Sequence, residues 1–190
     1  MKSYVKKQKM HLKDKNVILG ICGGIAAYKT CDIIRQLVKL QANVECILTK
    51  SGANFITSLT LQTLSKNKVH QNMFESIGTY DINHISLAKK ADIVVIAPAT
   101  ADIIARLAVG RADDLLSCTV LTSKAKILIC PAMNSDMLSH KAVCNNMETL
   151  KNYGYSFVMP ESGELACGDY GSGRLAKVED IVSFVIKQLN

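Results

Sequence analysis

The sequence lacks tryptophan and has few other aromatic residues, which make up 5% of its 190 residues. Because single-stranded nucleic acids are commonly bound by stacking their bases on aromatic side chains, this scarcity counts against a nucleic-acid partner. No apolar run approaches the roughly 18 residues that span a bilayer, so we expect no membrane partner either. Nucleic-acid and membrane functions are therefore the first to be set aside.

Acidic residues are the minority among the charges, and the net charge is +7. Residues 1–15 hold six lysines and one aspartate, which gives +5 and leaves +2 for residues 16–190. A basic stretch ahead of a near-neutral body is a weak indication of nucleic-acid binding. We expect a flexible basic tail over residues 1–15 and one domain over residues 16–190, since this length suits a single core.

The seven cysteines include no Cys-x-x-Cys pair, and no histidine stands at ligand spacing from one of them. This pattern predicts that the chain holds no metal. An odd number of thiols in a chain large enough to form a core is typical of a reducing compartment, so we expect a cytoplasmic protein. Most of the cysteines should be small buried hydrophobic residues.

Short apolar runs alternate with longer segments of helical period along residues 16–190. The predicted strands are residues 16–22, 44–49, 93–97, 127–130 and 156–159. The predicted helices are residues 25–40, 101–109, 114–123, 135–153 and 178–189. Strands that are continuously apolar are buried on both faces, which indicates an α/β fold with a parallel sheet covered by helices.

The loop after the first strand, "GICGGIAAYK" at residues 20–29, brings backbone amides to the start of a helix, where an anion is favoured. Its spacing is not G-x-G-x-x-G, and the second strand ends at Thr49 rather than at an acid that would hold an NAD ribose. The pattern favours a mononucleotide phosphate such as that of FMN. The alternative is that Gly23 and Gly24 only permit close packing between strand and helix.

Two further strands end in short polar motifs, "APATADIIA" at residues 97–105 and "PAMNSDM" at residues 131–137. Asn134 in the second motif offers an amide donor and an acceptor, although capping a helix would also explain it. His84, in "NHISLAKKAD", lies upstream of the third strand and could reach the same edge of the sheet. A structural role for His84 remains open from the residues alone.

The stretch "ELACGDYGSGRLAK", residues 164–177, contains one cysteine and three glycines and has no hydrophobic period. With the motifs "GGIAAYK", "NHISLAKKAD", "APATADIIARLAVGRADDLL" and "PAMNSDM", it resembles the FMN-dependent cysteine decarboxylases in order and spacing. The similarity covers about residues 16–189 and is greatest to the bacterial members that act on phosphopantothenoylcysteine. It implies a Rossmann-like or flavodoxin-like three-layer sandwich, with trimers as the basic assembly and FMN near the subunit contacts.

The resemblance also implies roles for individual residues. His84 and Cys167 match the catalytic pair, and Cys167 lies on a flap to which three glycines give mobility. The positions that match substrate-binding residues are Met133, Asn134, Ala166, Gly168 and Arg174. The positions that match FMN-binding residues are Gly23, Gly24, Ile25, Ala26, Thr49, Phe55, Pro98, Ala99, Thr100 and Ala101.

By this resemblance the expected activity is FMN-dependent decarboxylation of phosphopantothenoylcysteine to phosphopantetheine in coenzyme A biosynthesis. Oxidation of the substrate's CH2–SH group to a thioaldehyde creates an electron sink, and loss of carbon dioxide then gives an enethiol. Bacterial members are often fused to a synthetase domain, so a phosphopantothenate-cysteine ligase, fused or separate, is an expected partner. The alternatives are a peptidyl-cysteine decarboxylase, a flavin prenyltransferase, a flavodoxin-like electron carrier and a non-catalytic FMN-binding regulatory protein.

Overall fold

A computed structural model of the chain describes residues 12–74, 82–164, 168 and 170–190. Its centre is a six-stranded sheet in which every neighbouring pair is parallel. The strands are β1 (Asn16–Ile21), β2 (Asn43–Leu48), β3 (Val69–His70), β4 (Ile93–Ala99), β5 (Lys126–Pro131) and β6 (Ser156–Phe157). They lie in the order β3-β2-β1-β4-β5-β6, which confirms the predicted α/β fold with a parallel sheet.

Eight α-helices surround this sheet in the described part of the chain. They are α1 (Thr30–Lys39), α2 (Ser58–Ser65), α3 (Asn83–Lys90), α4 (Ala101–Ala108), α5 (Leu115–Thr122), α6 (Ser135–Ser139), α7 (Lys141–Asn152) and α8 (Val178–Leu189). Within the described ranges, no helix combines the length and the apolar character needed to cross a membrane.

Each face of the sheet has its own hydrophobic core. On one face Val17, Leu19 and Ile21 of β1 pack with α1, α2 and α8, whereas Ile18 of the same strand packs with α3, α4, α5 and α7 on the other. This alternation follows from the two-residue period of a strand, and it makes the molecule a three-layer sandwich. Leu12 is fully buried in the first core, whereas residues 1–11 of the basic stretch lie outside the described residues.

Two predicted helices are not continuous. The segment predicted as a helix from residue 25 begins with a 3-10 turn at Ile25–Lys29, and α1 starts only at Thr30. The helix predicted over residues 135–153 is divided into α6 and α7 at His140, whose extended backbone ends the first helix and whose Nδ1 accepts from Ala142 N at 3.2 Å. The first break is a tighter 3-10 turn and the second is a helix cap. Neither changes the spacing of apolar residues, so the sequence pattern does not reveal them.

The glycine-rich stretch near the C-terminus forms part of an antiparallel hairpin of β7 (Glu161–Glu164) and β8 (Tyr170–Arg174). This hairpin was not predicted as strands, because its glycines and serines give no alternation of apolar and polar residues. Residues 165–167 and 169, between the two strands, lie outside the described residues. The first residue of the stretch, Glu164, ends β7, and its residues 170–174 form β8.

Candidate functional site

The candidate site lies at the carboxyl ends of β1 and β4, which are neighbours in the sheet. The chain continues from β1 to β2 on one side and from β4 to β5 on the other, so the strand order reverses between β1 and β4. Ligands of open parallel sheets bind at such a reversal. Cys22 N donates to Pro98 O at 3.3 Å, which holds the two strand ends together at the base of the site.

Two cavities open on either side of this point, and Gly23 and Thr100 belong to the walls of both. The first cavity has a volume of about 640 Å³, which is in the range of small-molecule sites. Its walls are Cys22, Gly23, Ile47, Leu48, Thr49, Lys50, Ser51, Gln71, Thr100, Asp102, Ile103, Arg106, Asp114, Leu115 and Leu116. It therefore extends from the strand ends toward α4 and α5.

The loop after β2 forms one wall of the first cavity and is tightly folded. Thr49 Oγ1 donates to Ile21 O at 3.1 Å and accepts from Gly52 N at 3.1 Å, so this hydroxyl fastens the loop to β1. A Cβ built on Gly23 would lie 2.5 Å from Ser51 Cβ, which is closer than real contacts allow. Gly23 is therefore required for the close approach of the two loops that shape this cavity.

The opposite wall of the first cavity is a network of paired charges. Arg106 Nε lies 3.0 Å from Asp102, and Arg106 Nη1 lies 2.6 Å from Asp113 Oδ1 and 3.3 Å from Asp114 Oδ2. The hydrogen bond to Asp102 is the main cause that raises the pKa of Arg106. Asp114 also caps α5 by accepting from Ser117 N at 2.7 Å. These pairings fix the wall, in which three carboxylates share the guanidinium of Arg106.

Cys22 also lines the first cavity, but its thiol is not a reactive group. Burial is the main cause that raises the pKa of Cys22 to about 12. The thiol is therefore protonated at neutral pH and packs as a small hydrophobic side chain. The predicted burial of most cysteines is confirmed for those described, since Cys22, Cys46, Cys118 and Cys130 are buried.

The second cavity, of about 650 Å³, lies between the loop after β1, the loop after β5 and the hairpin. Its walls are Gly23, Gly24, Ile25, Ala26, Tyr28, Lys29, Thr100, Ala101, Ala132, Met133, Asn134, Met137, Gly173, Arg174 and Leu175. Most of these residues are apolar or small, and the polar side chains of Lys29, Asn134 and Arg174 stand among them. A mostly apolar wall with a few polar groups is typical of a site that orients a small molecule.

Asn134 combines the two roles that its motif suggested. Its Oδ1 accepts from Asp136 N at 2.8 Å and from Met137 N at 3.4 Å, so the side chain caps α6. The same residue belongs to the wall of the second cavity. Capping uses the acceptor end of the amide, and its Nδ2 end is a hydrogen-bond donor.

The hairpin closes the second cavity through direct contacts with its neighbours. Met133 N donates to Gly173 O at 3.1 Å, and a Cβ on Gly173 would overlap Met133 O. Lys29 Nζ donates to Leu175 O at 3.3 Å, which joins the hairpin exit to the loop after β1. Gly168 has a φ of +90°, a conformation that favours glycine. The predicted site residues Ala166 and Cys167 lie outside the described residues.

Five predicted site residues in the described part of the chain are not on the walls of these two cavities: Gly168 and the four that follow. Pro98 and Ala99 are buried at the end of β4, where its register with β5 shifts between Ile96 and Ala99. Phe55 is 49% exposed just after the 3-10 turn Gly52–Asn54. His84 is half-buried at the second position of α3, and no described residue hydrogen-bonds to its buried Nδ1. A buried ring nitrogen without a partner requires an explanation, and a functional role is one.

Several residues on the cavity walls were not singled out from the sequence. Tyr28 and Lys29 are the last two residues of the GGIAAYK motif, and Met137 follows Asn134 at the three-residue spacing of one helix face. Asp102 and Arg106 stand at i, i+4 on α4. These two spacings indicate that the residues of each pair lie on the same face of a helix. The strand order was needed to show which helix faces meet at one site.

Comparison with known proteins agrees with this geometry. A model of the Flavoprotein family matches residues 5–190, which is nearly the whole chain. The chain therefore belongs to the Flavoprotein family. A relative in Haemophilus influenzae, the coenzyme A biosynthesis bifunctional protein CoaBC, is 46% identical over 172 residues, which is 90% of this chain. This flavoprotein chain spans 43% of the length of that relative.

Two solved structures show the same fold as this flavoprotein chain. One is a cysteine-to-serine variant of PPC decarboxylase complexed with pantothenoylaminoethenethiol, with a TM-score of 0.80 and 29% identity. The match covers 90% of this chain and 96% of that one. The other is SpaF, an FMN-dependent cysteine decarboxylase, with a TM-score of 0.80, 26% identity and coverage of 92% and 97%.

Proposed function

We propose that this chain catalyses the FMN-dependent decarboxylation of phosphopantothenoylcysteine to phosphopantetheine, a step in coenzyme A biosynthesis. The observation that carries the proposal is the pair of cavities that meet at Gly23 and Thr100. Ligands in the two cavities would lie close together on either side of these residues, as a redox cofactor and its substrate must. The similarity to CoaBC and to PPC decarboxylase supports this choice of substrate.

We assign FMN to the first cavity, to the shared wall and to the adjoining side of the second cavity, which Gly24, Ile25, Ala26 and Ala101 line. Ser51 supplies a hydroxyl and Lys50 a positive charge for a phosphate, and the small residues at the shared wall leave room for a flat ring. A Cβ built on Gly24 would meet no atom within 4 Å, so that residue faces open space. The proposed FMN contacts are Gly23, Gly24, Ile25, Ala26, Thr49, Phe55, Pro98, Ala99, Thr100 and Ala101.

We assign the substrate to the other side of the second cavity, which Met133, Asn134 and Arg174 line. Asn134 Nδ2 would donate to the substrate carboxylate, and Arg174 and Lys29 provide the positive charge that an anionic substrate needs. Met133, Ala166 and Gly168 complete the proposed substrate-binding set. The apolar surface between these groups suits the uncharged middle of an acylated cysteine.

When bound, FMN supplies the two-electron oxidation of the substrate's CH2–SH group and the later return of hydride. In that oxidation His84 would accept the thiol proton, and loss of this proton together with a hydride from the adjacent carbon leaves a C=S group β to the carboxylate. The departing carbon dioxide leaves its electron pair in that group, so the product of this step is an enethiolate. Cys167 would donate the proton that accompanies hydride return, which gives the saturated thiolate, and the proton held by His84 would return to the sulfur to give the thiol.

The proposal extends to the assembly and the cellular setting. We propose a homotrimer or a multiple of trimers in the cytoplasm, with one FMN-binding domain over residues 16–190 and a basic tail before it. Free thiols at all six described cysteines agree with a reducing compartment. The name of the bifunctional relative supports a phosphopantothenate-cysteine ligase as partner.

The deciding experiment identifies both the cofactor and the product. The purified full chain should be yellow, and heat should release FMN from it. Anaerobic incubation with phosphopantothenoylcysteine should give phosphopantetheine and carbon dioxide by mass spectrometry, and a peptide ending in cysteine should give no product. A colourless protein that takes up no FMN, or turnover of the peptide alone, would overturn the proposal.

A further inference from the structure

A buried charged cluster connects β2 and β3, at one edge of the sheet, with α3. Glu45 of β2 is only 9% exposed, and its Oε2 accepts from His70 Nε2 at 3.0 Å. Its Oε1 forms an ion pair with Nζ of Lys90, the last residue of α3. Because a buried carboxylate is costly unless it is paired, these two contacts determine where the Glu45 side chain lies. Glu45 therefore ties a strand to a helix.

The helix held in this way is the one that carries His84. Helix α3 has eight residues, and no side chain caps its N-terminus at Ile82. So short a helix is not stable alone, and its position depends on tertiary contacts. Leu87 and Ala88 are buried, but apolar contacts are non-directional.

The directional contacts of α3 are few in the described part of the chain. Ser123 Oγ donates to Ala88 O at 3.4 Å, and Asn83 Nδ2 donates to Asn72 O at 3.3 Å. Both distances are long for hydrogen bonds, whereas the contact of Lys90 with Glu45 is charge-assisted. Lys90 and His84 are six residues apart, about 9 Å along one rigid helix. A rotation or slide at the Lys90 end therefore displaces the imidazole.

We propose that Glu45 is a positioning residue for His84, which it acts on by holding Lys90 and thereby the register of α3 against the sheet. His70 holds the carboxylate in the orientation that this contact requires. The inference rests on the proposed function, which makes His84 the acceptor of the substrate's thiol proton. Glu45 itself touches no reacting atom.

The test uses the FMN-loaded full chain, three variants that remove a charge, and Lys90→Arg, which keeps one. Glu45→Gln and Lys90→Met remove the ion pair from either side, whereas Lys89→Met removes an exposed lysine from the same turn of α3. With saturating substrate, the first two variants should reduce the rate constant of flavin reduction about ten- to a hundredfold, since small misplacements of a reacting group have effects of this size. FMN affinity should change less than twofold in all three, and Lys90→Arg should restore the rate.

A second readout does not depend on turnover. The His84 imidazole resonance, recorded by NMR on histidine-labelled protein without substrate, should move in Glu45→Gln and Lys90→Met and stay in place in Lys89→Met. A lowered melting temperature with an unchanged rate constant and resonance would overturn the proposal and leave Glu45 a purely structural residue. If Glu45→Gln does not fold, Lys90→Met decides between the two roles. The Lys90 side chain is 47% exposed, so we expect its replacement to be tolerated by the fold.

The two readouts also separate this inference from the proposed function. If the wild-type protein does not reduce its flavin with phosphopantothenoylcysteine, the proposed function fails, and the resonance shift still tests the contact between Glu45 and α3. If His84→Asn reduces flavin at the wild-type rate, His84 is not the proton acceptor. An unmoved His84 resonance in both pair-breaking variants would overturn the positioning role alone.

Discussion

Burial decides which chemistry is open to the individual cysteines. It raises the pKa of Cys22 and Cys46 to about 12 and that of Cys130 still further. A thiol that gives up a proton in every turnover near neutral pH needs a pKa closer to its ordinary value of about 8.5. The buried thiols are therefore unsuited to this task, which the resemblance gives to Cys167.

Replacing Cys167 tests the second half of the proposed reaction. Cys167→Ser should still oxidise and decarboxylate the substrate, because His84 serves those steps, but a serine hydroxyl is too weak an acid to support hydride return. The variant should accumulate an enethiol lighter than phosphopantetheine by two hydrogen atoms. The measurement is product mass after one anaerobic turnover.

Cys144→Ser is the matched control for this experiment, since Cys144 is an exposed thiol on α7. It should give saturated product at the wild-type rate. Saturated product from Cys167→Ser at that same rate would show that another group supplies the proton.

At the scale of elements, the central strands were predictable because burial on both faces demands continuous apolar sequence. All seven residues of β4 are buried, and five of the six residues of β1 are. The two-residue strand β3 was not predictable, since it is too short to form a pattern. The 3-10 turn Gly52–Asn54 and the hairpin are held by backbone hydrogen bonds. Such bonds produce no pattern of apolar residues in the sequence.

The site was predictable in its parts and not in its assembly. Gly23, Thr100 and Asn134 stand at strand ends, which a parallel sheet brings to one edge. Which ends become neighbours depends on the strand order, and this order is not encoded in local periodicity. His84 shows the consequence, because it was expected near these residues and lines neither cavity of the single chain.

The two loop glycines give an element-scale prediction about the packing of the β1 and β2 loops. Gly23→Ala should lower the melting temperature and weaken FMN binding at least tenfold, since its Cβ would lie 2.5 Å from Ser51 Cβ. Gly24→Ala is the control for stability, because a Cβ there meets no atom within 4 Å. Thermal unfolding and FMN titration measure both effects, and equal melting temperatures in the two variants would contradict the packing argument.

The Glu45 cluster gives a second element-scale prediction, since it joins two strands and a helix. The hydrogen bond from His70 is the main cause that lowers the pKa of Glu45 from 4.5 to about 2; burial opposes this shift, and the contacts with Lys90 add to it. A carboxyl with a lowered folded-state pKa stabilises the protein fully above pH 4.5 and loses this effect as the pH falls toward 2.

The expected contribution is roughly 3 kcal/mol at neutral pH. The difference in unfolding free energy between wild type and Glu45→Gln, from urea titration, should therefore shrink by about 1 kcal/mol between pH 5 and pH 3.5. A difference that stays constant over this range would mean that the carboxyl pKa is the same in the folded and unfolded chain.

At the scale of the whole molecule, apolar side chains remain exposed around the second cavity. Ile25, Tyr28 and Met137 are 62%, 59% and 48% exposed, although all three line its walls. Exposed apolar residues clustered around a pocket favour contact with another chain. This exposure supports the proposed trimer.

The trimer is tested by measuring mass in solution. Light scattering should give about three times 20.7 kDa, or a multiple of that value. Tyr28→Glu should lower the mass and weaken FMN retention, because it places a charge in the apolar contact. Tyr153→Glu changes a tyrosine of similar exposure, 61%, outside both cavities and should leave both properties unchanged. A monomeric wild-type protein that retains FMN would contradict the prediction.

The shared wall at Gly23 and Thr100 also limits how the site can diverge. A substitution at either position alters both cavities at once, so selection for a new substrate there would disturb cofactor binding as well. Residues 132–134 and 173–175 border only the second cavity. New substrate preferences should therefore evolve, or be engineered, through substitutions in these two segments, while Gly23 and Thr100 stay unchanged.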